Sequence, residues 1–417
     1  MITRVEATRY RCFEHLAIET GTYQVVVGAN GAGKSTLLDL PVLIGELLKM
    51  RPISRAFLSR RAERAPRAST LTELVFMHRD TDFALAVEAR LPETIAARLN
   101  EGWRESQLDH IRYEMRFRVD RHRFLIVESE HLIAFPMTEA YVSGRLPMQG
   151  DNAEDAGWLR IVERSDGGPA VFTRETGRRR KAEVPSDNSR LELSRVVFES
   201  EEDHPAARWF HDLLSEHVVY YSPVWRDLHV ASPPGLSPEL IGSGQNLPWL
   251  ALELKKTDPE RFADWVAHVA EALAVVAIDV IEREEDHFAY FSVEYRNGLV
   301  ATSSGLSEGT LRLLAYTVLA YLPRPPALLM VEEPENGIHP RAVETVLQTL
   351  ESMYDSQVWV ASQSPIVLAH TSLDHILCAR LSSEGAAAVI PGRSHPRLVD
   401  WQGTIDLGSL FAAGVLG

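Results

Sequence analysis

Gly28-Ala29-Asn30-Gly31-Ala32-Gly33-Lys34-Ser35 fits the pattern G-x-x-x-x-G-K-[ST], and the residues on either side supply the context that pattern requires. Upstream, Thr22 to Val27 is a β-branched and apolar run, which predicts a buried strand ending at Gly28. Downstream, Leu37, Leu38, Leu40, Leu43, Ile44 and Leu47 recur at helical spacing. Strand, glycine loop and helix in that order put backbone N–H groups and a helix N-terminus around an anion. On this reading Asn30, Gly31, Ala32, Gly33, Lys34, Ser35 and Thr36 surround the phosphates of a nucleotide, ATP. Lys34 bridges β- and γ-oxygens and Ser35 offers its hydroxyl to Mg2+. Pro41 lies inside the helical pattern, removes a backbone donor and predicts a kink.

Far downstream, the apolar run Ala327 to Val331 ends in Glu332-Glu333-Pro334-Glu335-Asn336. This predicts a buried strand delivering carboxylates at its C-terminal edge, where ligands bind in open α/β sheets. Glu332 then holds Mg2+ through its water shell and Glu333 acts as general base toward an attacking water. An acidic surface loop would be the better reading if the segment stood alone; the glycine loop in the same chain changes that. Between the two motifs lies Gly305-Leu306-Ser307-Glu308-Gly309-Thr310, which opens an apolar helix over Leu311 to Leu322. Ser307 and the Gly309 backbone suit a second phosphate contact, and Ser307 equally suits a plain N-cap.

The 417 residues carry 43 Lys plus Arg against 58 Asp plus Glu, a net charge of −15, which excludes a wholesale basic nucleic-acid coat protein. Single cores stop growing near about 250–300 residues, so two lobes or one head with a large insertion are expected. Two cysteines, Cys12 and Cys378, give no disulfide framework and no metal-ligand spacing, and point to a reducing, cytoplasmic setting. The N-terminus has no apolar signal segment and no stretch is long enough to span a membrane. Positive charge gathers in two places. Arg51, Arg55, Arg60, Arg61, Arg64 and Arg67 crowd one segment, and Arg178, Arg179, Arg180 and Lys181 form a run. Both suit solvated faces or an acidic partner protein slightly better than nucleic acid, for which the second run is the candidate contact.

Between the motifs, Ile111 to Val119 alternates apolar and charged residues as a half-buried antiparallel strand, with Phe124 to Val127 returning beside it. Hairpins are expected at Asp166–Gly167 and Asn297–Gly298. Pro205 to Val276 reads as helical. The histidines show no zinc-site spacing.

The order Gly-Lys-Ser, Leu-Ser-Glu-Gly, apolar strand with Glu-Glu, then Ser362-Gln363-Ser364-Pro365 resembles the ABC-type ATPase heads of the SMC and RecF group. More narrowly the chain resembles bacterial stand-alone AAA family ATPases related to the OLD family. Arg11-Cys12-Phe13, Asn246-Leu247, Leu306 to Leu314, Glu332 to Pro340 and the tail from Leu407 carry the likeness, and the middle matches weakly. The resemblance implies an α/β fold, an ABC/RecF-like P-loop ATPase head with an antiparallel β subdomain and an inserted helical lid subdomain. Its parts are an N-terminal lobe over 1–135, an insertion over 136–275 and a C-terminal lobe over 276–417.

It further implies a homodimer or higher oligomer of ATP-sandwiched heads. Ser307, Glu308 and Gly309 of one subunit complete the site of another, with Asn336 to His339 at the interface; His339 suits a helix entry equally well. Arg11 approaches the nucleotide or makes a surface ion pair. The implied work is antiphage defence or DNA metabolism beside a separate effector, with DNA or RNA as a further partner. The residues after Pro365 are too few for a fused nuclease. Transport-type relatives have Asp and His where this chain has Glu332 and Gln363. An amide can sense a γ-phosphate oxygen but carries no positive charge, so slow hydrolysis is expected. The rival reading is a nucleotide-gated scaffold or sensor that binds ATP with little turnover.

Overall fold

The computed structural model describes residues 1–60, 65–101, 107–121, 123–137, 157–165, 167–177, 180–195, 202–273, 275–398 and 406–414. These divide into two compact units, Met1–Gly21, Asp39–Val218 and Leu381–Val389 in the first, Thr22–Leu38, Val219–Arg380 and Ile390–Gly417 in the second.

The chain opens with a hairpin, β1 (Ile2–Tyr10) and β2 (Phe13–Glu19), followed by the wholly buried β3 (Tyr23–Val27). Then come β4 (Asp82–Arg90), β5 (His110–Asp120), β6 (Phe124–Phe135), β7 (Leu159–Arg164), β8 (Ala170–Thr173) and β9 (Lys181–Val184). All but β3 form an eight-stranded sheet, ordered β2-β1-β4-β5-β6-β7-β8-β9, in which every neighbouring pair is antiparallel. The alternation in β5 departs from the half-buried strand expected. Arg116, Arg118 and Asp120 are partly exposed, but Arg112 and Glu114 are buried like the apolar residues between them, because carboxylates and guanidinium neutralise one another there. Tyr113, Met115 and Phe117 are buried, and Phe83 of β4 stacks on Phe117 with ring centroids 5.0 Å apart.

In the same unit Arg67 is fully buried, its guanidinium paired with Asp39 at 2.9 Å and with Glu46, and bonded to the Ala56 carbonyl at 2.7 Å. This corrects the reading of Arg67 as part of a solvated or partner-binding basic segment: intramolecular carboxylates neutralise it. Arg61 and Arg64 lie outside the described residues.

The second unit is built on a six-stranded sheet of order β10-β14-β15-β3-β16-β17, where β10 is Val218–Tyr221, β14 Leu328–Glu332, β15 Gln357–Ser362, β16 Ile376–Leu381 and β17 Ala387–Pro391. Its four central strands are mutually parallel, with Glu332 level with Ala361, Ser362 with Val27, and Cys378 with Val27. Strands buried on both faces read as unbroken apolar runs, which is why β3 and β14 stand out in the sequence. A three-stranded antiparallel sheet, β11 (Val275–Glu282), β12 (Ala289–Tyr295) and β13 (Val300–Thr302), turns at Asn297–Gly298 as expected. Helices Leu247–Thr257 and Pro259–Ala272 pack here, and Trp265 donates to Thr317 Oγ1 at 3.0 Å.

Two local readings need correcting. The stretch expected to be helical from Pro205 to Val276 contains β10 and the start of β11 as well as helices. The helix expected to reach Leu322 is α-helical only over Glu308–Thr317 and tightens to a 3-10 turn over Val318–Tyr321. Among the described residues no helix is long and apolar enough to cross a membrane.

Candidate functional site

The parallel sheet brings its C-terminal strand ends together, and the chemistry collects there. Past β3, Gly28 has φ +155°, and a Cβ on it would lie 2.0 Å from the Ala379 carbonyl oxygen, so only glycine fits. The loop continues through Gly31 and Gly33 at φ +80° and +90° into the helix Lys34–Lys49, which runs unbroken across Pro41. Ala29, Asn30, Gly31 and Ser35 are exposed, whereas Lys34 is buried with its ammonium donating to the carbonyls of Gly28 at 2.8 Å and Ala29 at 3.0 Å. Burial holds the Lys34 ammonium below the usual lysine range, opposed by the carboxylates of Glu333 and Glu332.

From β14, Glu332 accepts a hydrogen bond from the Ser35 hydroxyl on one oxygen and from the Tyr220 hydroxyl, at 2.5 Å, on the other. Glu333 leaves the strand in a left-handed conformation, φ +48°, with its N–H on the Ala361 carbonyl at 2.7 Å. Its carboxylate accepts from Gln363 Nε2 at 2.5 Å and from Asn336 Nδ2 at 2.5 Å. The glycine turn with Lys34 and Ser35, the carboxylates of Glu332 and Glu333, and the Gln363 amide thus lie together at one sheet edge. A Ser hydroxyl beside a single carboxylate suits a Mg2+ that arrives with its nucleotide and keeps most of its waters. Among the described residues no cluster of three His, Cys, Asp or Glu could hold a metal by itself.

Other predicted residues stand apart from this cluster or serve local structure. Ser307 caps its helix, accepting from the Thr310 N–H at 3.2 Å, and Glu308 pairs with Arg312 at 2.8 Å. A Cβ on Gly309 would sit 3.0 Å from the Gly337 carbonyl oxygen, so this helix start abuts the turn that follows Glu333. His339 caps the helix Pro340–Glu351 through Nδ1, which accepts from the Arg341 N–H at 3.2 Å. Arg11 belongs to the first unit, in the β1–β2 turn at φ +52°, its N–H on the Leu74 carbonyl at 2.9 Å. Arg178 and Arg179 lie outside the described residues; Arg180 is exposed and Lys181 lies 3.7 Å from Glu163.

Sequence reasoning missed Tyr220 and the contact of Glu335 with the Ser362 hydroxyl at 2.5 Å. Val218-Val219-Tyr220-Tyr221 is a β-branched and aromatic run that signals a strand by composition, but four residues amid helices set no period.

Residues 25–369 match the family model described as "AAA domain, putative AbiEii toxin, Type IV TA system". The chain belongs to this family. Among solved structures it is similar to the Smc head bound to the C-winged helix domain of ScpA, at 16% identity and a TM-score of 0.52, over 93% of this chain and 96% of that one. Two further matches are the Pyrococcus furiosus Smc head domain with an extended coiled coil bound to the C-terminal domain of ScpA (13% identity, TM-score 0.49, 93% and 95% covered) and the SMC head domain from Thermotoga maritima (10%, 0.39, 94% and 98%). No curated protein matches the chain. The family and the first of these likenesses identify an α/β P-loop head of the SMC/ABC type, the fold of a nucleotide-binding ATPase.

Proposed function

We propose that the protein binds ATP with Mg2+ and hydrolyses it slowly, as a nucleotide-dependent switch between paired and separated heads. The observation that carries this reading is the cluster at one sheet edge: Lys34 on the glycine loop, Ser35 on Glu332, and Gln363 and Asn336 on Glu333. Water attacks the γ-phosphorus, its proton passes to Glu333, and the bond to the β–γ bridging oxygen breaks to leave ADP and phosphate. Lys34 and the loop N–H groups of Asn30 to Thr36 hold the phosphates in line. Ser35 and Glu332 would hold the Mg2+ that comes with the nucleotide, which would supply charge neutralisation at the phosphates. Gln363 senses the γ-phosphate, and Arg11 approaches the nucleotide.

In the paired state, Ser307, Glu308 and Gly309 of one subunit meet the nucleotide of its partner, with Asn336 and His339 at the interface. The organisation into lobes over 1–135 and 276–417 around an insertion over 136–275 belongs to the same proposal. So do cytoplasmic work in antiphage defence or DNA metabolism, a separate effector, and nucleic-acid contact through Arg178 to Lys181.

The second reading, a nucleotide-gated scaffold with little turnover, is favoured by one feature. Gln363, at the switch position, offers a γ-phosphate oxygen an amide that carries no positive charge, which suits sensing better than turnover. Steady-state phosphate release from wild type, Glu333→Gln and Lys34→Ala, with and without double-stranded DNA, separates the readings. The ATPase reading expects turnover that falls at least a hundredfold in both variants, with ATP still bound by Glu333→Gln; DNA stimulation would place the work on nucleic acid. Tight ATP binding by wild type without phosphate release would establish the scaffold instead.

A further inference from the structure

Glu335 holds a position that the nucleotide chemistry alone does not call for. The chain turns sharply after Glu333, with the Asn336 N–H on the Glu333 carbonyl at 3.0 Å and the Ile338 N–H on the Glu335 carbonyl at 3.2 Å. That turn sends Asn336 to the Glu333 carboxylate and directs the Glu335 side chain inward to Ser362 Oγ, at 2.5 Å. Ser362 is the fully buried last residue of β15. Its oxygen accepts from the Ser364 N–H at 2.9 Å, so its proton is donated to Glu335. The other Glu335 oxygen is buried without a partner among the described residues. Burial pushes the Glu335 carboxyl above the usual range, against the pull of the Ser362 hydroxyl, and the nearby Glu333 charge pushes the same way; the Gln363 backbone N–H, which also engages this carboxyl, pulls it down.

A half-buried acid with one oxygen buried and unsatisfied costs stability unless something offsets it. Here the carboxyl holds the hydroxyl of Ser362, the residue before Gln363, while the Gln363 amide holds Glu333. The result is a closed ring, Glu333 to Glu335 through the turn, Glu335 to the Ser362 hydroxyl, Ser362 to Gln363 along the chain, and Gln363 back to Glu333.

We infer that Glu335 is a positioning residue for phosphoryl transfer: by holding Ser362 and the base of the following loop, it sets where Gln363 meets Glu333. This rests on the ATPase reading proposed above. Loss of the grip lets Gln363 swing from Glu333, which misorients the base without touching the phosphate-binding loop. The effect therefore belongs in kcat, with KM for ATP unchanged. Glutamine at 335 keeps an oxygen that accepts from Ser362, so it preserves the ring.

The test is steady-state ATP turnover with the full chain, wild type against Glu335→Ala, Glu335→Gln, Ser362→Ala and the Glu335→Ala/Ser362→Ala pair, each with a thermal melt. The expected result is a kcat at least tenfold lower in Glu335→Ala and Ser362→Ala, within twofold of wild type in Glu335→Gln, with KM constant throughout and no further loss in the pair. Ser362→Ala carries the test if Glu335→Ala fails to fold. Wild type without turnover overturns the ATPase reading and this inference with it. Wild-type turnover retained in Glu335→Ala and Ser362→Ala, or a loss in KM or melting alone, overturns the inference and leaves the ATPase reading standing. A loss in Glu335→Gln equal to that in Glu335→Ala overturns it too.

Discussion

In β3, β14 and β15 acidic and basic side chains are absent until the strand ends, where Glu332 and then Glu333 appear. In β1, β4 and β5 they sit in mid-strand. Arg112 lies among Glu6 at 2.8 Å, Glu88 at 2.5 Å and Glu114, all four buried. Burial opposes the Arg112 charge and the three carboxylates more than offset it, holding the guanidinium above its usual value. The sheet registers explain both patterns. Antiparallel pairing puts Glu6, Ala86 and Glu114 in one row and Glu88 and Arg112 in the next, so opposite charges neutralise one another along a face. Parallel strands covered on both sides leave no such face, and charge is confined to the ends, where its partners are amides and hydroxyls. Charge satisfied by fixed countercharge serves the fold, and charge held by weak, exchangeable donors is available to a ligand.

The largest effect that would break this contrast is at Arg112. Arg112→Ala leaves three buried carboxylates without their cation and is expected to cost about 3–5 kcal/mol, read as a lower urea midpoint. Glu333→Gln, whose side chain is half-buried at the parallel edge, is expected to stay within about 1 kcal/mol of wild type. An Arg112→Ala cost below about 1 kcal/mol would mean that the antiparallel network is not structural. Next in size is Tyr220→Phe, which removes one of the two donors seen on Glu332. Its expected cost is about 1 kcal/mol, together with a several-fold rise in the Mg2+ concentration needed for half-maximal turnover. An unchanged Mg2+ requirement would show that Tyr220 serves only the fold.

The same contrast explains what could be read from the sequence. The glycine loop, β3, β14 and the Glu332–Asn336 run are contiguous, and their chemistry follows from neighbours in the chain. Ser307 as an N-cap and the Asn297–Gly298 turn are equally local. Arg67 could not be placed because its partners, Asp39 and Glu46, are supplied by the helix Lys34–Lys49, and a run of arginines carries no mark of which one turns inward. Tyr220 depends on β10 lying beside β14, a pairing between segments far apart in the chain. Glu335 reads as one more acid in an acidic run; its inward course follows from the left-handed backbone at Glu333, which no local pattern announces.

The smallest expected effect is a pair of opposite pH slopes. Burial opposes ionisation of Glu6, but Arg112 and Arg4 hold its carboxyl below the ordinary 4.5. Its contribution is therefore present above that value and lost as pH falls through the lowered one. Glu335 is raised from 4.5, so its contribution is present below that value and lost as pH rises through the raised one. Each slope is bounded by one proton, at most about 1.4 kcal/mol per pH unit. Melting temperatures from about pH 3 to 8 for wild type, Glu6→Gln and Glu335→Gln read both slopes. The deficit of Glu6→Gln should shrink as pH falls, because protonated Glu6 in wild type loses the same ion pairs. Glu335→Gln should gain on wild type as pH rises, because it never has to carry a charge that partial burial disfavours. Differences that slope the same way would mean that the two carboxyls are held alike, and that an acid at the parallel edge is no freer of fixed countercharge than one in the antiparallel face.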